Sequence, residues 1–317
     1  MTNFIDQIDE ASLKERICEL KDRQEFRALA DYLISVLSSG RLLPRLRVKA
    51  YNELGVSHLQ LDEPGEAEKA FLSAIDFDPK AVNPRFNLAN LALYARKYEA
   101  ALEQYREVLA LDPNHVGARY HSGLCLAMTD RPDEALPCFE ASAKAAPDAM
   151  GPHFWAGEVL LAGEGFEFAL PYFLKAIEIS PDHRESRRGV AICLFELGDY
   201  EQCIEQCDML IISGGGAEYL AFQIKGDALV EMGEIEAAAF CHLELADMDF
   251  DARDYLVMRA RELAKQHPEH VARYVGVIVN TIPELERAFS GIVPASEQAE
   301  AVVAQISIPR EEASNVE

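Results

Sequence analysis

Small and apolar side chains in the middle of this chain recur at a fixed step. An aromatic stands at Phe71, Tyr105, Phe139 and Phe173, and a small residue stands four positions before each, at Ala67, Ala101, Ala135 and Ala169. A second small column runs through Gly55, Ala89, Gly123 and Gly157. Proline closes the pattern at Pro79, Pro113, Pro147 and Pro181, and every column steps by 34 residues. Columns in one register mark an internal repeat, and a repeat decides architecture before any single element does. Small–aromatic pairs at i, i+4 share one helix face. The unit is therefore predicted to be a hairpin of two helices, closed by a proline that a helix interior does not tolerate. Small residues such as Gly55 and Ala67 let the helices cross closely, and the aromatic fills the gap towards the next hairpin.

The stretch YNELGVSHLQLDEPGEAEKAFLSAIDFDP, Tyr51 to Pro79, resembles the tetratricopeptide repeat, a helix–turn–helix unit of the same length with L-G, A-x3-F and P positions. In register, the repeats are 48–81, 82–115, 116–149, 150–183, 184–218 and 219–252. The fifth has no proline, ends in Gly214-Gly215-Gly216, and puts Ala191, Cys203 and Cys207 in the small, small and aromatic columns. The sixth keeps Gly226 and Ala238, with His242 in the aromatic column and Phe250 in place of proline. Residues 1–47 read as an N-terminal helical cap or degenerate repeat, 253–305 as a C-terminal helical cap, and 306–317 as a disordered tail. The resemblance implies an all-α fold, a right-handed superhelical solenoid of helix-turn-helix repeats. The glycine run is expected to be a loop able to hinge.

Composition narrows the function. The chain has 317 residues, 30 Lys+Arg and 54 Asp+Glu, for a net charge of −24. Residues 48–252 hold 15 basic and 36 acidic side chains, a net of −21, so the repeats carry the charge. Phosphate and anionic lipid would be repelled, which argues against nucleic acid as a partner. No apolar run is long enough to span a membrane, and the start has neither the basic nor the apolar region of a signal peptide. Seven cysteines without a CxxC pair fit a reducing compartment, so a cytoplasmic protein is expected. Cys203 and Cys207 read as core, and His267-x-x-His270 as structural or solvated rather than metal-ligating. No nucleotide, zinc-hydrolase or serine-hydrolase motif is present. No catalytic residue, metal or cofactor is expected, and the chain is read as a non-enzyme.

Function is then expected on the surface that the repeats create. The resemblance places the second, fifth, ninth, twelfth and thirteenth residues of each repeat on the concave face, where partners bind. The candidate groove comprises Asn52, Phe86, Asn87, Asn90, Leu93, Tyr94, Tyr120, Leu124, Met128, Phe154, Glu158, Leu161 and Arg188. Phe86, Tyr120 and Phe154 form an aromatic column there. An apolar stripe left in water marks an interaction site unless the chain covers it or adjacent helices bury it. Of the positions by which chaperone-binding relatives clamp a carboxylate, only Asn87 matches, so that ligand is not expected. Arg188 could contact an acidic group or pair on the surface. The chain is read as a non-catalytic adaptor, assembly factor or scaffold, binding a peptide or helix with apolar and basic residues. A peptide-sensing regulator, or a self-assembling structural protein whose cap fills a neighbour's groove, are the alternatives, so a homo-oligomer stays open.

Overall fold

The computed structural model describes residues 8–214, 219–248 and 252–293. It divides into two compact halves, Met1–Val159 and Leu160–Glu317. Gly215, Gly216, Phe250 and the tail 306–317 lie outside the described residues, and Gly214 caps a helix. Among the described residues the architecture is all-α, and the one extended pairing is an isolated bridge between Ile8 and Leu42.

The first half contains α1 (Glu10–Asp22), α2 (Phe26–Ser38), α3 (Pro44–Gln60), α4 (Pro64–Phe77), α5 (Val82–Tyr94), α6 (Tyr98–Leu111), α7 (Val116–Met128), α8 (Pro132–Ala145) and the start of α9 (Met150–Ala162). Leu13, Ile17, Leu20, Leu29, Leu33 and Leu46 make one core that ties α1 and α2 to α3. Arg27 of α2 adds an ion pair with Glu63, the residue before α4, at 2.5 Å. Pro79, Pro113 and Pro147 each stand two residues past the end of the second helix of a hairpin. There the ring breaks no intrahelical hydrogen bond and bars further helix. Pro64 and Pro132 open α4 and α8, where a missing N–H costs nothing.

Each hairpin turn contains one residue in the left-handed region. In the first half these are Gln24, Asp62, Arg96 and Asp130, all with φ of 56–57°. From Asp62 onward they keep the step of the repeat, and Gln24 gives α1 and α2 the same turn.

In the second half follow α10 (Phe166–Ile179), α11 (Arg184–Glu196), α12 (Tyr200–Ser213), α13 (Tyr219–Glu231), α14 (Ile235–Met248), α15 (Ala252–Gln266) and α16 (Val271–Thr281). Glu164, Gly198 and Gly233 are its left-handed turn residues. Pro181 again stands two residues past a helix end. Helices α8 and α10 run straight through Pro137 and Pro171, their sixth residues, without ending there. Tyr274, Leu256, Ile235, Ile278 and Phe289 form a core joining α14, α15 and α16.

The glycines of this region make room for rings. A Cβ on Gly55 would stand 2.4 Å from the Phe71 ring, one on Gly123 2.7 Å from Phe139, and one on Gly189 2.6 Å from Phe173. These glycines admit the buried aromatic of the following or preceding helix. In the fifth repeat the column residue is Ala191, and Gly189, two positions earlier, admits the Phe173 ring of the preceding repeat instead. In the sixth the column residue is Gly226, whose Cβ would stand 2.1 Å from His242.

Candidate functional site

Helices α3, α5, α7 and α9 are the first helices of successive hairpins, and their facing side chains are linked in order. Asn87 on α5 donates its amide to Asn52 Oδ1 on α3, at 2.8 Å. Asn90 Oδ1 on α5 accepts from the Tyr105 hydroxyl at 2.6 Å and lies 2.8 Å from His121 Nδ1 on α7. The carboxamide oxygen accepts from both, so the proton of His121 sits on Nδ1 in this arrangement. Burial, with a contribution from His115, holds the His121 pKa below its ordinary value, and burial pushes the Tyr105 hydroxyl far up. Both groups are therefore neutral at pH 7.

The aromatic column lies in the seams between these helices. The Phe86 ring stacks on His121 with centroids 5.6 Å apart and planes 6° apart, and reaches within 4.6 Å of His115. A Cβ on Gly117 would meet that ring at 3.2 Å, and one on Gly151 would meet the Tyr120 hydroxyl at 2.8 Å. Tyr120 also packs edge-on against Phe139, which stacks on Trp155, and Trp155 meets Phe154. Phe86, Tyr120 and Phe154 are half-buried, and the first two pack between adjacent helices. Of the two readings of Phe86 and Tyr120, open stripe or seam between adjacent helices, the packing favours the seam: Gly117 and Gly151 leave room for a ring from the preceding repeat.

On these first helices the exposed large apolar side chains are one step further along. Tyr94 on α5 is 81% exposed and Met128 on α7 is 46% exposed. They hold the same position in consecutive repeats, at the C-terminal ends of their helices. Leu93 and Leu124 are half-buried behind them, as are Asn52, Asn87, Asn90 and Glu158. The site residues of this half are therefore brought onto helices that neighbour one another. Leu161 and Arg188 fall in the second half, half-buried and exposed respectively. Beside Arg188, Arg187 is engaged with the Pro181 carbonyl and Gln206.

The site residues missed at the sequence level are His121 and Trp155, while Gly117 and Gly151 stand at the second position of their repeats, where the resemblance puts groove residues. His121 and Trp155 follow the aromatic column by one position and close the same seams. Of the other histidines, His115 and His183 cap α7 and α11 through Nδ1. Buried His242 lies 2.7 Å from the Tyr274 hydroxyl and 3.4 Å from Asp227, and Asp227 in turn pairs with Arg259 at 2.6 Å. That group joins α13 to α16. His267 and His270 stack on each other at 6.0 Å, each within 4 Å of Glu269. Among the described residues no group of three or more side chains is arranged to hold a metal.

Helical hairpins in register, with an aromatic seam and a polar ladder on one side, define the class of repeat proteins that act through their surfaces. Residues 86–150 and 129–183 match one tetratricopeptide-repeat model and residues 48–80 match another. The chain is a tetratricopeptide-repeat protein. YrrB, described as a TPR protein with an unusual peptide-binding site, is 26% identical, with a TM-score of 0.56, over 58% of this chain and 94% of that one. PilF of Pseudomonas aeruginosa is 20% identical with a TM-score of 0.55, over 67% and 97% of the two chains. A tetratricopeptide repeat protein from Parabacteroides merdae is 18% identical with a TM-score of 0.53, over 75% and 92%. No curated protein matches the chain in sequence. Proteins of this fold are in general protein–protein interaction modules, and no described helix is long and apolar enough to cross a membrane.

Proposed function

We propose that this protein is a non-catalytic adaptor or scaffold, and that the face built by α3, α5, α7 and α9 binds a peptide or helix of a partner. The observation that carries this reading is the pair Tyr94 and Met128, exposed at one repeat position on neighbouring helices. A large aromatic and a thioether in water on consecutive repeats serve no hairpin, and both types are favoured at binding hot spots. Leu93 and Leu124 extend the apolar strip behind them. Asn52, Asn87 and Asn90 already hydrogen-bond within the protein, so they orient the wall. Phe86 and Tyr120 brace it across adjacent helices, which lowers the ordering cost of binding. Peptide binding by YrrB, at 26% identity, supports the same reading. The net charge of −24 favours a partner segment that also carries Lys or Arg. A cytoplasmic location belongs to this proposal, supported by seven cysteines that are all free.

The test selects binders from a random peptide library on the whole chain, then measures the selected peptides by calorimetry. The comparison is with a Tyr94→Ala/Met128→Ala variant, whose exposed side chains leave the helices intact. The selected peptides should combine apolar and basic residues, and affinity should fall about tenfold or more in the variant. Equal binding to both proteins would remove the function from this face.

A further inference from the structure

Helix α5 carries Tyr94 on one face and lines a separate cavity on another. The cavity is about 260 Å³ and opens between α4 and α6. Its apolar lining is Leu88, Leu91, Ala92, Ala95 and Ala100, and its polar lining is Glu68, Lys97, Glu103 and Gln104. The repeat register explains why it exists. The position of Ala92 holds His58, Leu126, Leu194 and Leu229 in four other repeats, and each of those side chains is buried. Alanine at this one repeat leaves open part of the space that a larger side chain fills in those repeats, and the gap is continuous with the open cavity.

We propose that this socket is a second docking point, which takes one Leu, Met or Phe side chain from a partner protein segment bearing Lys or Arg beside it. Size selects a side chain over a whole small molecule. The volume is below the roughly 300–1,000 Å³ of ordinary small-molecule sites, yet exceeds the roughly 150 Å³ that houses a benzene ring. Charge selects the flanking cation. Glu68 on α4 and Glu103 on α6 stand across the opening, against a single lysine, in a repeat region of net charge −21. Leu72, one turn beyond Glu68 on α4, is 43% exposed and continues the apolar surface out of the cavity. The site does not depend on the face that carries Tyr94 and Met128.

The probe is N-acetyl-phenylalanyl-arginine amide, titrated into the full chain with isotope-labelled alanine methyls. Ala92, Ala95 and Ala100 then report directly. The expected result is a saturable shift of these three methyls in the millimolar range. Replacing Phe by Gly should abolish it, and replacing Arg by Glu should weaken it about threefold or more. Ala92→Leu, which restores the residue of the other repeats, should eliminate binding. Glu68→Gln/Glu103→Gln, a surface change, should remove the preference for Arg over Glu. Tyr94→Ala/Met128→Ala should leave the titration unchanged, which separates this proposal from the one above. No saturable shift, an equal shift with the glycine peptide, or retained binding in a folded Ala92→Leu protein would each overturn it.

Discussion

At the turn between α5 and α6 the chain makes Arg96 left-handed, at φ 57°, while the matching turn between α11 and α12 uses Gly198 at φ 78°. An L side chain in that region costs about 1 kcal/mol or more. Gly198→Ala has open space around its Cβ, so the backbone alone decides the effect. It should lower stability by about 1 kcal/mol in chemical denaturation, and Arg96→Gly should not lower it. A fall for Arg96→Gly equal to that for Gly198→Ala would mean that the turns are not strained. His121 makes a second prediction. Its folded pKa lies below the ordinary value of 6.5, because burial opposes the charge. The unfolded chain therefore takes up the proton first. The contribution is complete above the ordinary value and is lost as pH falls through it towards the folded value. Thermal stability should drop between neutral and mildly acidic pH, and less so in His121→Gln, which keeps a donor for Asn90. An unchanged profile in that variant would show that His121 does not set it.

At the scale of elements, the hairpins were readable because their signals are chemical and periodic. Pro79, Pro113, Pro147 and Pro181 end helices by a missing N–H, and the Phe71 column is buried in the structure as its spacing implies. The left-handed turn positions were not readable, because Asp62, Arg96, Asp130 and Glu164 share a conformation and no side-chain type. The site was readable as a set of helix positions, but not as a surface. Whether Phe86 faces water or a seam depends on the residue across from it. Gly117 and Gly151 decide this by leaving room, and although they keep the 34-residue step, a glycine does not say which side chain it makes room for. The socket beside Ala92 was likewise hidden, since it exists only by contrast with larger residues in the other repeats. Two glycine substitutions test the packing account. Gly123→Ala drives a Cβ into Phe139 and should cost about 1–3 kcal/mol. Gly276→Ala, inside α16 with nothing within 4 Å, should instead stabilise by about 1 kcal/mol. Similar effects at both positions would contradict it.

For the molecule as a whole, a net charge of −24 means that the folded chain repels itself. Salt screens this repulsion over about 10 Å at 0.1 M, so added sodium chloride should raise the melting temperature by a few degrees. A melting temperature that falls with salt would show that ion pairs such as Arg27–Glu63 outweigh the repulsion. The same field favours basic partners at both surfaces discussed above. In the proposed function, the apolar strip around Tyr94 is where such a partner docks, and the seam residues keep that place in shape. The claim that this face is where the protein acts is tested most directly by photo-crosslinking. A benzophenone amino acid replaces Tyr94 in the full chain, and Ile34 on α2, also exposed, serves as the control position. In extract of the native cell, the Tyr94 probe should form a discrete adduct with a partner protein, and the Ile34 probe should not. Adducts that are the same from both positions, or none from Tyr94, would contradict the account.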